Sequence, residues 1–311
     1  MRVRRRTFMA GVAAAGAGLA AVRSAAKAGG YAVRLGGPMF LKSDDPEALA
    51  REHVRLGYRA AYCPNVLLDD RPRIDAVAKA FSASGVTIAE VGRWVNLLDS
   101  DPKKRKENLQ TVTDGLALAE AVGALCCVDI AGSFSTTSWF GPHPENLSKS
   151  FFDAAVENAR KIIDSVRPKR SKFCYEMMGW SLPDSPKAAL DFVKAVDRKA
   201  FAVHLDPCNL INTPSRFYRS TQLLEDCFDK LGSLIVSCHA KDLTWNVEMN
   251  IHFQEVRPGR GSLDYRVYLK RLAGLGHQPP LMLEHLSSAQ EYDQAREHIR
   301  AVGKQASIAF D

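Results

Sequence analysis

The sequence predicts a single-domain α/β fold in which eight parallel strands and eight helices close into a (β/α)8 barrel. From residue 32 onwards, short apolar runs typical of buried strands alternate with helical segments. This strand–helix unit occurs eight times, which favours closure into a barrel. The 311 residues suffice for one barrel of about 250 residues preceded by a leader. A doubly wound open sheet is the alternative, but no G-x-G-x-x-G motif follows the first strand, which argues against dinucleotide binding.

The predicted strands are apolar runs that end in polar residues, turns or proline. They are Ala32–Phe40, Ala60–Val66, Val86–Trp94, Leu125–Ala131, Lys172–Gly179, Phe201–Asp206, Leu234–Ala240 and Pro280–Leu286.

The predicted helices begin at acidic residues, polar caps or prolines, and the third ends at Gly123. They are Asp45–Leu56, Pro72–Ser84, Pro102–Val122, Asn146–Val166, Pro186–Asp197, Thr221–Leu231, Asp264–Ala273 and Ala289–Val302. Two long polar and aromatic segments, Gly132–Glu145 and Leu243–Gly261, are predicted to be loops, and the first is long enough for a lid.

Residues 1–28 have the features of an export signal, which leaves residues 29–311 for the barrel. Arg4-Arg5-Arg6-Thr7-Phe8-Met9 resembles the twin-arginine motif, and a weakly apolar alanine- and glycine-rich run follows it. That run is too short and too weakly apolar for a stable membrane span. We therefore expect export to the periplasm, with no stable membrane insertion.

Charge and cysteine content limit the classes of function open to the mature chain. The formal net charge is +7, but six positive charges and no acid lie in residues 1–28, which leaves +1 for residues 29–311. An overall attraction to nucleic acid is therefore not expected. The seven cysteines show no C-x-x-C zinc spacing and fall mostly in predicted strands, so we interpret them as small core residues.

Four side chains suited to metal binding lie near the ends of the last four predicted strands. They are Glu176, Asp206, His239 and Glu284. Because the carboxyl ends of barrel strands meet at one face, we expect these four to bind one divalent metal ion together. Three carboxylates and one imidazole suit Mn, Mg, Co or Zn, and the mostly oxygen donor set favours Mn.

Other polar residues near the strand ends are candidates for contacts with a substrate. Lys241 shares a strand face with His239 and could meet a substrate oxygen or one of the carboxylates. Glu90 ends the third strand, where a substrate contact and a structural pair are both open. His204 lies on the same face as Asp206 and could support the site or belong to the core.

Several motifs resemble the xylose-isomerase-like TIM-barrel group of sugar phosphate isomerases and epimerases. Besides the four strand-end residues, they are Val203–Pro207 (VHLDP), His239–Asp242 (HAKD) and Pro258–Tyr265 (PGRGSLDY). The resemblance covers the chain from about residue 30 to its end. It implies that the four residues bind one divalent metal, often Mn, and that Glu176 and Glu284 are the catalytic acid/base pair on either side of the substrate.

The resemblance also adds two substrate-binding candidates. The D-x-x-H turn of the group is Asp206-Pro207-Cys208-Asn209 here. Asn209 can hydrogen-bond a hydroxyl group but cannot transfer a proton as histidine does, so the sub-family and the substrate stay open. Arg257, just before the Pro-Gly-x-Gly turn, resembles the substrate-contacting arginine of the group.

The function implied is that of a metal-dependent sugar isomerase or epimerase that works through an enediolate on a keto-sugar or a related polyol. A lyase or dehydratase acting on 3-keto sugars or glycosides would use the same residues, because the same enediolate can expel a leaving group. The expected partner is a small sugar, and a homo-oligomer stays open.

Two other classes of function are weaker alternatives. Type IV apurinic-site endonucleases share the fold, but Asn209, Phe253 and Glu255 replace residues of their additional metal sites. A periplasmic sugar-binding protein without catalytic activity is the other alternative, since a fold does not by itself imply catalysis.

Replacing the two central arginines of the leader tests the export hypothesis. The variant Arg5→Lys/Arg6→Lys is expected to leave the precursor in the cytoplasm, because such signals are read by a receptor and do not act as anchors. Cell fractionation with immunoblotting measures this. Periplasmic amounts equal to those of the wild type would contradict the twin-arginine hypothesis.

Overall fold

The computed structural model describes residues 30–311, and eight parallel strands in this range form a closed barrel. The export signal proposed for residues 1–28 lies outside the described residues. In chain order the barrel strands are β1 (Leu35–Gly36), β2 (Ala60–Tyr62), β3 (Thr87–Gly92), β4 (Cys126–Asp129), β5 (Lys172–Glu176), β6 (Phe201–Leu205), β7 (Ile235–Ala240) and β10 (Leu281–Leu283). Each strand pairs with the next in this order, and β10 closes the barrel by pairing with β1. The predicted (β/α)8 barrel is confirmed.

The eight predicted helices surround the barrel in the order predicted, and the described residues contain one further short α-helix, α6 (Pro214–Tyr218), which had been predicted as part of a loop. They are α1 (Pro46–Arg55), α2 (Arg71–Ala83), α3 (Pro102–Val122), α4 (Lys149–Val166), α5 (Pro186–Val196), α6 (Pro214–Tyr218), α7 (Ser220–Leu231), α8 (Tyr265–Ala273) and α9 (Ala289–Gln305). Most begin at a side-chain cap: for example, Asp101 accepts a hydrogen bond from the N–H of Lys103, and Ser148 accepts one from Phe151. None of the helices in residues 30–311 combines the length and the apolar character that a membrane span requires.

Apolar packing divides into a large outer layer and a small inner one. The outer layer joins helices to strands, as where Phe81 of α2 and Ile88 of β3 belong to one buried cluster. Inside the barrel, the apolar clusters are small and contain Cys126, Val128, Cys174 and Ala202, or Ala60, Ala89 and Met282. All seven cysteines are free thiols, and six are buried, as expected for small core residues.

The prediction that Leu243–Gly261 form a loop was wrong in part, because this segment contains an antiparallel hairpin. Its strands are β8 (Asp242–Asn246) and β9 (His252–Val256). Trp245 pairs with Phe253, and the ring of Phe217 stacks on Phe253 with centroids 5.3 Å apart. These aromatic contacts stabilise the hairpin. The sequence had predicted a loop because the residues around the aromatic ones are polar.

Asp242 fixes this hairpin to the barrel. Its buried carboxylate accepts four backbone hydrogen bonds of 2.9–3.0 Å, from the N–H groups of Leu243, Gly259, Gly261 and Leu263. A Cβ atom at Gly261 would collide with the carboxylate, so glycine permits this close approach. The Pro-Gly-x-Gly segment is thereby held beside the strand that ends at Ala240.

Asp242→Asn tests how much this carboxylate stabilises the fold. The amide NH2 would face N–H donors, so the free energy of unfolding should fall by about 2 kcal/mol, the cost of buried donors without acceptors. Urea unfolding measures the change. Asp70→Asn is the matched control: Asp70 accepts only the N–H of Arg73, and asparagine caps a helix as well as aspartate does. Equal stability of Asp242→Asn and the control would contradict the role given to Asp242.

Candidate metal centre

The strand alternation brings the four predicted metal ligands to one point at the carboxyl end of the barrel. Residues two apart share a face, so Cys174 and Glu176 both point inward, as do Ala202, His204 and Asp206 on the next strand. One ligand atom from each of the four lies within 4.8 Å of every other. The four, which we call the quartet, are Glu176, Asp206, His239 and Glu284.

The imidazole of His239 is the centre of the quartet. Its Nδ1 atom lies 3.0 Å from Oε1 of Glu176, 2.8 Å from Oε1 of Glu284 and 3.5 Å from Oδ2 of Asp206. Three carboxylates thus face the same ring nitrogen. Carboxylate oxygens and one imidazole nitrogen at this spacing form a donor set suited to a divalent ion.

Two carboxylate oxygens indicate that the quartet fits a metal ion. Oδ2 of Asp206 and Oε1 of Glu284 are buried and have no hydrogen-bond partner among residues 30–311. Nζ of Lys241 lies 2.9 Å and 2.5 Å from these two oxygens, but the contacts lack hydrogen-bond geometry and are ion pairs only. Lys241 therefore offsets part of the negative charge, and three buried carboxylates need more positive charge than one lysine supplies, which a divalent ion would provide.

The quartet has a deep pair and an outer pair. The side chains of Asp206 and His239 are 0% exposed, whereas those of Glu176 and Glu284 are 7% and 12% exposed. Only the outer pair therefore reaches the surface of the barrel mouth, and it does so from different strands.

Burial and charge shift the pKa values of these groups in different directions. Burial raises the pKa of Glu176. Burial has the same tendency at Asp206 and Glu284, but the charges of Lys241 and His239 outweigh it and lower the pKa of both carboxyls. The carboxylates in turn raise the pKa of Lys241 well above its usual value, despite its burial. The cluster therefore holds a cationic lysine against ionised carboxylates.

Asn209 and Lys241, two predicted substrate contacts, lie directly against the quartet. The Nδ2 atom of Asn209 donates to Oε1 of Glu176 over 3.2 Å and to the carbonyl of Met177 over 3.1 Å. Lys241 is 3% exposed, and its ammonium group is 3.5 Å from Oδ1 of Asn209. Both residues can therefore orient Glu176 or meet a ligand held by the quartet.

The other three predicted substrate contacts lie elsewhere. Glu90 and His204 sit behind His239 with fully buried side chains, and they hydrogen-bond to each other over 2.9 Å. Arg257 lines a cavity together with Arg260 and His285, the residue that follows Glu284, and within residues 30–311 it makes no ion pair with the quartet. The geometry thus gives Glu90 and His204 a place below the metal ligands and not at the mouth.

Two further residues near the quartet, Ser237 and Tyr62, were not expected from the sequence. Ser237 donates a hydrogen bond to Glu90 in the barrel interior. The rings of Tyr62 and Trp94 lie 6.5 Å and 6.4 Å from that of His239 and, with Glu90, line a cavity of about 350 Å³. Ser237 is two residues before His239 on the same strand, so the alternation of side chains could have placed it on the inward face. No feature of the nearby sequence indicates that Tyr62 lies near His239.

A cavity of about 780 Å³ does not contain the chemistry described here. It is lined by residues such as Arg34, Lys79, Arg170 and Asp311 and shares no residue with the quartet. Size alone therefore does not locate the functional site in this molecule.

A family model described as xylose isomerase-like TIM barrel matches residues 22–302 of the chain. The chain belongs to this family. The resemblance noted in the sequence is thereby confirmed, together with the closed barrel. No curated protein matches the chain.

Solved structures similar to this chain differ in the activities that their names describe. A xylose isomerase-like TIM barrel protein from Mycobacterium smegmatis, in complex with magnesium, is 20% identical with a TM-score of 0.60, over 84% of this chain and 88% of that one. A 3-keto-D-glucoside 4-epimerase from E. coli is 15% identical with a TM-score of 0.62, over 87% and 99%. Endonuclease IV from Thermus thermophilus is 16% identical with a TM-score of 0.65, over 89% and 99%. At these identities the likeness establishes the shared fold and not the reaction.

His239→Ala tests the metal centre. Loss of a residue that merely supports a metal ligand weakens metal binding by up to about 100-fold. Removing the central ligand itself should weaken Mn²⁺ binding by more than that. Elemental analysis and titration against a competing chelator measure this. His252→Ala, an exposed histidine on the hairpin, is the control and should keep full occupancy. Full occupancy in His239→Ala would place the metal elsewhere.

Proposed function

We propose that the protein is a divalent-metal-dependent isomerase or epimerase acting on a keto-sugar or a related polyol. The proposal rests mainly on one observation: Glu176 and Glu284 are the outer members of the quartet and approach it from β5 and from the end of β10. A substrate bound at the mouth would lie between two carboxylates. One can then remove a proton from carbon and the other can return it, at another carbon or another face.

The residues around this pair support proton transfer. Asn209 Nδ2 donates to Oε1 of Glu176, and no hydrogen bond to Oε2 is formed within residues 30–311, so Oε2 is free to act on a substrate. Lys241 lies 2.5 Å from Oε1 of Glu284, where it balances the negative charge and can meet a substrate oxygen. Burial raises the pKa of Glu176 towards the range in which a carboxyl group both accepts and donates protons.

The cofactor in this proposal is one divalent ion bound by the quartet, with Mn first and Mg, Co and Zn as alternatives. When bound, such an ion would act as a Lewis acid on a substrate carbonyl and so acidify the neighbouring C–H bond. Asp206 and His239 would hold it from below, because both are fully buried.

A lyase or dehydratase acting on 3-keto sugars or glycosides is the second candidate. The same pair of carboxylates would serve, since removal of the proton next to a carbonyl also permits loss of a group one carbon further on. Lys241 favours this candidate, because its ammonium group beside Glu284 can stabilise a departing oxygen. The two candidates differ in their products: an isomer in one case, and an unsaturated sugar with a released group in the other.

The partner and location belong to the same proposal. A small sugar is the expected partner, and nucleic acid is not, because the net charge of +1 outside the leader provides little general attraction to phosphates. The twin-arginine-type leader supports a periplasmic location, where unphosphorylated sugars and glycosides are the accessible substrates.

Glu176→Gln and Glu284→Gln test the catalytic pair. Glutamine keeps a coordinating oxygen and the size of the side chain but removes the base. Each variant should keep bound metal and lose turnover by about 100-fold or more, the usual contribution of a general acid–base group. Turnover of keto-sugars and 3-keto-glycosides is followed by chromatography. Asp129→Asn, a buried carboxylate on β4 that is outside the quartet, is the control.

Solvent exchange separates the enzyme from the other classes. Wild-type protein in heavy water should incorporate deuterium next to the substrate carbonyl, whether the result is isomerisation, epimerisation or reversible elimination. A sugar-binding protein would bind without exchange, and an endonuclease would cleave abasic DNA and leave sugars unlabelled. Binding at the metal without exchange or product, across the whole substrate panel, would contradict the proposed enzyme.

A further inference from the structure

Below the quartet lies a second group of polar side chains, which shares His239 with the quartet and contains three residues that the proposed reaction does not use. Its members are Glu90 on β3, His204 on β6, and Ser237 and His239 on β7. Glu90 is 1% exposed and the other three are 0% exposed. A carboxylate so deep in a barrel is costly unless donors surround it.

Glu90 has such donors on both of its oxygens. Oε1 accepts hydrogen bonds from Nε2 of His204, over 2.9 Å, and from the hydroxyl of Ser237. Oε2 is 3.3 Å from Nε2 of His239. The rings of His204 and His239 pack edge to face with centroids 4.2 Å apart, which leaves Glu90 little freedom to move.

The two nitrogens of His239 therefore face different partners. Nδ1 points to the three carboxylates of the quartet, and Nε2 points to Glu90. A neutral imidazole has one N–H and one lone pair, and the hydrogen bond made by one nitrogen fixes the state of the other. Without a metal ion, carboxylates on both sides of the ring can accept a proton from it. A metal ion at the quartet needs the Nδ1 lone pair, and Glu90, which as an ionised carboxylate can only accept, then keeps the remaining proton on Nε2.

We propose that Glu90 is a positioning residue, which holds His239 in the Nε2–H tautomer and so prepares Nδ1 as the metal ligand. His204 and Ser237 in turn hold Glu90. Nδ1 of His204 has no hydrogen-bond partner among residues 30–311, which fits a lone pair there and a proton on the nitrogen that faces Glu90. Carboxylate–histidine–metal arrangements of this kind orient the ligand and raise its basicity.

The same atoms could also be read as a second metal site, since Glu90, His204 and His239 offer three ligand atoms close together. The hydrogen-bond geometry argues against this. Each oxygen of Glu90 already has a donor at hydrogen-bond distance, whereas three carboxylates of the quartet converge on one imidazole nitrogen with Lys241 as their nearby cation. The ion is expected where the negative charge of several carboxylates converges.

Glu90→Gln in the full-length chain tests the proposal, with Asp129→Asn as the matched control. A glutamine has one acceptor oxygen and one NH2 group, so it cannot accept from both histidines. Affinity for Mn²⁺, measured against a competing chelator, should fall about 10–100-fold, the usual effect of losing such a partner. Asp129→Asn also replaces a buried carboxylate in the barrel. Within residues 30–311, however, the Asp129 side chain accepts only the N–H groups of Val95 and Ile130, so this variant should bind metal as the wild type does. Unchanged affinity in Glu90→Gln would overturn the proposal.

A measurement on the wild type keeps the proposal testable if Glu90→Gln does not fold. In zinc-loaded protein with ¹⁵N-labelled histidine, long-range ¹H–¹⁵N correlations should show the His239 proton on Nε2 and the metal on Nδ1. The reverse assignment would overturn the proposal. Two ions per chain, one of them lost in Glu90→Gln, would also overturn it and assign Glu90 to a second metal site.

The inference rests on the metal of the proposed function but not on turnover. A wild-type chain that binds no divalent ion would overturn both. A chain that binds one ion at the quartet, with the expected effect of Glu90→Gln and no sugar turnover, would contradict the proposed reaction alone.

Discussion

The mutual repulsion of Glu176, Asp206 and Glu284 at the barrel mouth is the constraint on which the rest of the site depends. Three carboxylates within 2.8–3.5 Å of one imidazole nitrogen cannot stay ionised in a buried place without nearby positive charge. In residues 30–311 Lys241 supplies one such charge, at 2.9 Å from Asp206. A divalent ion would supply the rest, so the cluster is built as an acceptor for a cation.

The inward-facing side chains of the barrel change from small ones to polar ones towards this cluster. Small side chains such as Cys174 and Ala202 fill one level, and the inward residues two positions further along are polar. The polar level contains Glu90, which links β3 to β6 and β7 through His204 and Ser237. The metal ligands therefore rest on a connected set of hydrogen bonds rather than on apolar packing alone, which limits the freedom of the His239 ring.

The outer elements position the residues at the mouth of the barrel. Asp242 immediately follows Lys241 and binds four backbone N–H groups, so the strand end and the Pro-Gly-x-Gly turn are held together next to the ammonium group. The hairpin that follows was predicted as a loop, because most of its residues are polar and the sequence does not show that Trp245 and Phe253 pair. Arg257, just after that hairpin, lines a cavity with His285, the residue that follows Glu284.

The sequence by itself determined the barrel and the membership of the quartet. Alternation of strands and helices is a local pattern, and parity along each strand fixes which side chains, such as Asp206 and His204, share a face. Only the tertiary structure decided the partners of Glu90, because His204 and Ser237 are 114 and 147 residues away along the chain. Such contacts depend on the register with which the strands close the barrel, and that register is set by packing over the whole ring of strands, not by any one segment.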